Sequence, residues 1–137
     1  MILFGGQHMG QMEEMELLRA AMAVAVADGE MRRSETGVLK GLADRVGIGR
    51  VSFDAMIGAA ESGALLPENI LISDPEKAKT AFELLVAQAR MDGEISPHER
   101  EILVRIAAAL SISGQTFSNL YESGIKKADQ LRKRRTS

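Results

Sequence analysis

Apolar positions recur along the chain with the period of a helix. Leu18, Ala21, Met22 and Ala25 line one face of a first helix over about residues 10–28, at the three- and four-residue steps of an amphipathic α-helix. Val38, Leu39, Leu42 and Val46 mark a second helix that ends at the "VGIG" turn around Gly47. Phe53, Met56, Ile57 and Ala60 mark a shorter third. The stretch "SGALLPENILISD" then breaks the pattern with Gly63 and Pro67. Ser73 or Asp74 before Pro75 reads as a helix start, because proline at the first helical position sacrifices no hydrogen bond.

The fourth helix presents Ala78, Ala81, Phe82, Leu85 and Ala89. The fifth has the cleanest stripe, Ile102, Leu103, Ile106, Ala109 and Leu110. Its start, "SPHE", combines Ser96 as N-cap, Pro97 in the first turn and Glu99 at the third position of a capping box. The sixth runs from about Gln115 through Phe117, Leu120, Tyr121, Ile125, Ala128 and Leu131, with Gly124 as a weak point and "KRRTS" expected to fray. No segment alternates as a strand does. The pattern predicts an all-α protein, a compact helical bundle of about six to seven helices.

The chain also repeats itself. At an offset of 64 positions, Ala23, Ala25, Asp28, Gly29, Glu30, Glu35, Leu39, Ala43, Ile48 and Phe53 meet identical residues. Ten identities fall in a window of 31 positions, where average composition gives roughly two. Two copies are too few for a solenoid. They predict two three-helix repeats, about residues 12–62 and 75–125, packed around one core and related by a pseudo-twofold axis. Residues 1–11 then form a mobile leader, 12–125 the domain and 126–137 a basic tail.

Composition supports a globular domain: 45% of the 137 residues are hydrophobic and 26% charged. Without cysteine there is no disulfide framework and no thiolate metal site. The apolar "MILF" at the start is too short for a secretory core, and no run approaches the roughly 20 residues of a membrane span. A cytoplasmic protein is expected. The net charge of −2 conceals an asymmetry: residues 126–135, "KKADQLRKRR", carry six of the 17 basic groups and one acid, leaving a balance of −7 on the remainder. That tail offers weak attraction to an anionic membrane surface. It gives no strong nucleic-acid signal, having no aromatic residue to stack on a base. Met9, Met12, Met15 and Met22 serve a partner-binding stripe or the core equally well.

The repeated phrase is "ADGEMRRSE" at 27–35 and "MDGEISPHE" at 91–99. Asp28 and Asp92 fall at helix C-termini, where the dipole already concentrates negative charge, and each precedes a glycine suited to the left-handed C′ position. Glu30 and Glu94 follow, and Glu35 and Glu99 open the next helix. The Asp-Gly…Glu spacing matches positions 5, 6 and 12 of an EF-hand. Positions 1 and 3 are Val24 and Val26 in one copy and Gln88 and Arg90 in the other, so neither is a self-sufficient calcium loop. Two readings stand. If the twofold joins the corners, Asp28, Glu35, Asp92 and Glu99 form one oxygen-rich site suited to calcium or magnesium before zinc. Otherwise the acids only terminate and cap helices, and no metal is bound. His98, beside Glu99, and His8, in the leader, are assigned nothing. No nucleophile pairs with a histidine and no phosphate-binding loop is present, so a non-enzymatic protein is expected.

The stretches "AVAVADGEMRRSE…LADRVGI" and "LVAQARMDGEISPHEREILVRIAAALSI" resemble the TerB-like family, which includes tellurite-resistance proteins, over about residues 12–122. The resemblance implies an all-helical bundle with a divalent-metal site on Asp28, Glu35, Asp92 and Glu99, with Glu30 and Glu94 as weaker candidates. It further implies a role in tellurite and stress responses exercised through other proteins, with no defining enzyme activity. The sequence departs from the family pattern at Met31, Arg32 and Arg33, beside the first corner.

Overall fold

The computed structural model describes residues 10–27, 33–91 and 93–136. Six α-helices are present among them: α1 (Gln11–Ala25), α2 (Arg33–Val46), α3 (Arg50–Glu61), α4 (Pro75–Met91), α5 (Pro97–Ala109) and α6 (Gly114–Thr136). A single 3-10 turn, Pro67–Asn69, lies in the connector, and no strand occurs among the described residues. The all-helical bundle is therefore as the periodicity predicts. The expected leader lies outside the description up to residue 9, and α1 already begins at Gln11. The first helix also ends earlier than expected, with Val26 as C-cap and a turn through Ala27.

The stripes read from the sequence converge. Leu17, Leu18 and Met22 of α1, Phe82 and Val86 of α4, and Leu103 and Ile106 of α5 are fully buried. Leu39 and Ala43 of α2 and Phe53 of α3 complete the same cluster. The connector joins it too. Ile70 and Ile72 point into the core while Leu71 between them is 70% exposed, because an extended chain turns alternate side chains to opposite sides.

Helix α1 packs on α2 and α3, α4 packs on α5 and α6, and α1 and α4 pack on each other. The helices of the second triplet begin at residues 75, 97 and 114, each 64 positions after the corresponding start at 11, 33 and 50. Turn bonding recurs at the same spacing. Glu14 N donates to Gly10 O at 3.0 Å and Ala78 N to Asp74 O at 2.9 Å; Ile48 N donates to Ala43 O at 2.9 Å and Ile112 N to Ala107 O at 2.8 Å. The chain leaves α2 through Gly47 at φ 89° and leaves α5 through Ser111 at φ 61°. A left-handed conformation suits glycine and strains serine.

Across the α1–α4 contact, Lys77 Nζ donates to Glu13 Oε1 at 2.9 Å. This pair holds the Glu13 carboxyl below its ordinary value and the Lys77 ammonium above its own.

Helices α4 and α6 make the broadest contact. Phe82 meets Phe117 with ring centroids 5.5 Å apart, and Phe117 stacks on Tyr121. Further along, Glu83 pairs with Lys127 and Arg90 with Asp129. Contacts that ascend both helices together mean that the two run in the same sense. Gly124 is the closest approach: a Cβ there would lie 2.8 Å from the Glu83 carbonyl oxygen and 2.8 Å from Val86 Cβ. The residue expected to weaken α6 instead lets it seat. Residues 133–136, where fraying is expected, are helical and form the last turn of α6.

Two substitutions test this reading, with stability measured by chemical denaturation. Gly124→Ala, favourable for an isolated helix by about 1 kcal/mol, should destabilise the protein by about 1–3 kcal/mol, because the added carbon forces the two backbones apart. Ser111→Gly should stabilise it by up to about 1 kcal/mol, since relief of left-handed strain exceeds the entropy glycine adds to the unfolded chain.

Candidate functional site

The second Asp-Gly-Glu corner joins α4 to α5. Helix α4 ends at Met91, Gly93 takes φ 131°, and Ser96 in extended conformation caps α5. The left-handed φ at residue 93 explains why glycine follows the acid at this turn.

Glu99 is buried, with 5% of its surface exposed. Its Oε1 accepts a hydrogen bond from Ser96 N at 2.8 Å, while Ser96 Oγ accepts one from Glu99 N at 3.1 Å. The predicted capping box is therefore closed, and Pro97 fills the first helical position. Two otherwise unpaired amides at the start of α5 gain acceptors, and the carboxylate lies at the positive end of the helix dipole. Capping engages Oε1; a carboxylate's second oxygen retains acceptor capacity.

Glu94 has a different environment. Its side chain is 91% exposed, and its Oε1 lies 3.3 Å from Arg90 Nη1. The same guanidinium reaches Asp129 Oδ1 of α6, 3.2 Å from Arg90 Nε. Behind the corner, Arg100 lies over the Tyr121 ring, 5.7 Å from its centroid. Burial raises the Tyr121 phenol above its ordinary value; Arg100 opposes that rise, and the Glu99 and Glu94 charges add to it more weakly. Tyr121 thus senses both described acids of this corner.

Of the four proposed ligands, Glu99 alone has a described side chain. Glu35 lies in the first turn of α2, as expected, but its side chain is outside the description, and Asp28 and Asp92 lie outside the described residues altogether. Glu30, Met31, Arg32 and His8 lie outside as well. Three of the four carboxylates of the expected shared site thus lie outside the described residues. Among the described residues, no group of three or more His, Cys, Asp or Glu side chains could hold a metal ion. His98 is exposed. No helix among the described residues is long and apolar enough to cross a membrane.

Sequence reasoning overlooked two features. Arg90 entered it only as a residue unsuited to an EF-hand position, although its i,i+4 spacing to Glu94 is legible as an ion pair; Asp129 carries no such local signal. Glu14 is 7% exposed and its Oε2 accepts no hydrogen bond. Its place in the first turn of α1 offers the helix dipole as partial compensation.

The cap gives a measurable expectation. Ser96→Ala should destabilise the protein by about 0.5–2 kcal/mol, by denaturant titration, and by the same amount with and without millimolar calcium or magnesium. Comparison of the chain with protein-family models, with characterised proteins and with solved structures finds no match.

Proposed function

We propose that this chain is a non-enzymatic, TerB-like stress-response module of two pseudo-twofold-related three-helix halves. In this reading it binds a divalent cation through Asp28, Glu35, Asp92 and Glu99 and acts through contacts with other proteins in the cytoplasm. The cation neutralises acids contributed by both halves and ties one half to the other. Calcium or magnesium suits an all-oxygen ligand set better than zinc.

The observation that carries this reading is the recurrence at 64 positions, which extends from identical residues to helix starts and turn hydrogen bonds. Glu13 and Lys77, which pair across the α1–α4 contact, are themselves 64 positions apart. Residues beside a twofold axis meet their own equivalents, so this pair supports such an axis between α1 and α4. A recurrent Asp-Gly…Glu phrase in that setting supplies half a ligand set per half.

A second reading is favoured by the reciprocal Ser96–Glu99 hydrogen bonds: a metal-free helical interaction domain in which the acids serve only to end and begin helices. Asp92→Asn separates the two, because it leaves unsubstituted the Ser96 and Glu99 side chains that close the α5 cap. Millimolar calcium or magnesium should raise the melting temperature of the wild-type protein, and Asp92→Asn should remove that rise. A wild-type melting curve indifferent to both ions would leave the scaffold reading.

A further inference from the structure

One cation already stands at the second corner. Arg90, in the last turn of α4, keeps only 18% of its side chain exposed. It spends its guanidinium on two carboxylates from different parts of the chain: Glu94 within the corner at 3.3 Å and Asp129 of α6 at 3.2 Å. Asp129 is the sole acid among residues 126–135. One half-turn earlier on α6, Lys127 pairs with Glu83. The end of α4, the corner and the basic part of α6 therefore share one ionic junction. At the equivalent position of the first half, 64 residues earlier, stands the uncharged Val26.

We infer that Arg90 is a built-in counter-ion of the second corner, which clasps the basic end of α6 beside it and competes with a divalent cation for its carboxylate charge. The clasp stands on the geometry alone; the competition rests on the metal reading above. A guanidinium bound to Glu94 offsets the negative potential that would attract an ion, and clasping Asp129 holds the positively charged Arg132 and Lys133, one turn further along, near the same corner. Strong neutral salt should weaken the clasp.

The test uses the full chain as wild type, Arg90→Gln, Arg90→Lys and Asp129→Asn. Amide hydrogen exchange at residues 130–136, without divalent ions, reads the clasp. Both Arg90→Gln and Asp129→Asn should speed it by roughly two- to fivefold, the range of a partly exposed ion pair, and Arg90→Lys should restore most of the protection. Asp129→Asn opens the junction from the α6 side and leaves α4 intact, so a fault in α4 alone cannot mimic the result. Calorimetric titration with calcium and with magnesium reads the competition: Arg90→Gln should bind about tenfold more tightly than wild type, as removal of one nearby positive charge requires. Unchanged exchange in Arg90→Gln overturns the clasp whatever the titrations give. Faster exchange with equal or weaker ion binding overturns the competition and upholds the clasp. Faster exchange with no ion bound by any variant also upholds the clasp, and it removes both the competition and the metal reading.

Discussion

The close approach of α4 and α6 at Gly124 sets how α6 lies against α4 and the corner at its end. With no side chain at residue 124, the α6 backbone comes against the Glu83 carbonyl and the Val86 side chain. That contact fixes the register in which Phe117 reaches Phe82 and Asp129 reaches Arg90. A helix held further away could keep its own hydrogen bonds and still lose the junction beside the corner. Packing density is thus the link between a glycine and an electrostatic site little more than one turn away along α6.

The corner shows how one local sequence can serve two kinds of demand. Glu99 satisfies backbone donors at the start of α5, Gly93 supplies the left-handed turn, and Glu94 takes a guanidinium. Each role follows from elementary needs of a helix–turn–helix junction. The proposed cation binding would be laid over these roles, because it draws on Glu99, whose Oε1 already serves the start of α5. The separate surroundings of Glu99, buried, and Glu94, exposed, also mean that the two acids would respond to an added ion in different ways.

The fold was legible where it depends on local chemistry. Apolar stripes predicted α4 and α5 closely, and "SPHE" predicted the Ser96–Glu99 box to the atom pair. What escaped was non-local. Gly124 reads as a helix breaker until the backbone it faces is known, and residues 133–136 read as a loose end although they continue α6. Ile70 and Ile72 sit in a stretch whose alternation is too short to stand out, yet both are buried. At the candidate site, the Arg90–Glu94 pair could be read from its spacing, whereas Asp129 lies 39 positions from Arg90 and needs the parallel course of α4 and α6 to arrive there.

The Glu13–Lys77 pair has a consequence for assembly. Under the proposed pseudo-twofold, these residues occupy one place in two related halves, and they carry opposite signs. Two first halves brought together in the same manner would set glutamate against glutamate, and two second halves would set lysine against lysine. Only the unlike pairing brings attraction to that junction. A single substitution on each side thereby biases each half toward its covalent neighbour and away from a like half on another molecule, which discourages exchange of halves between chains.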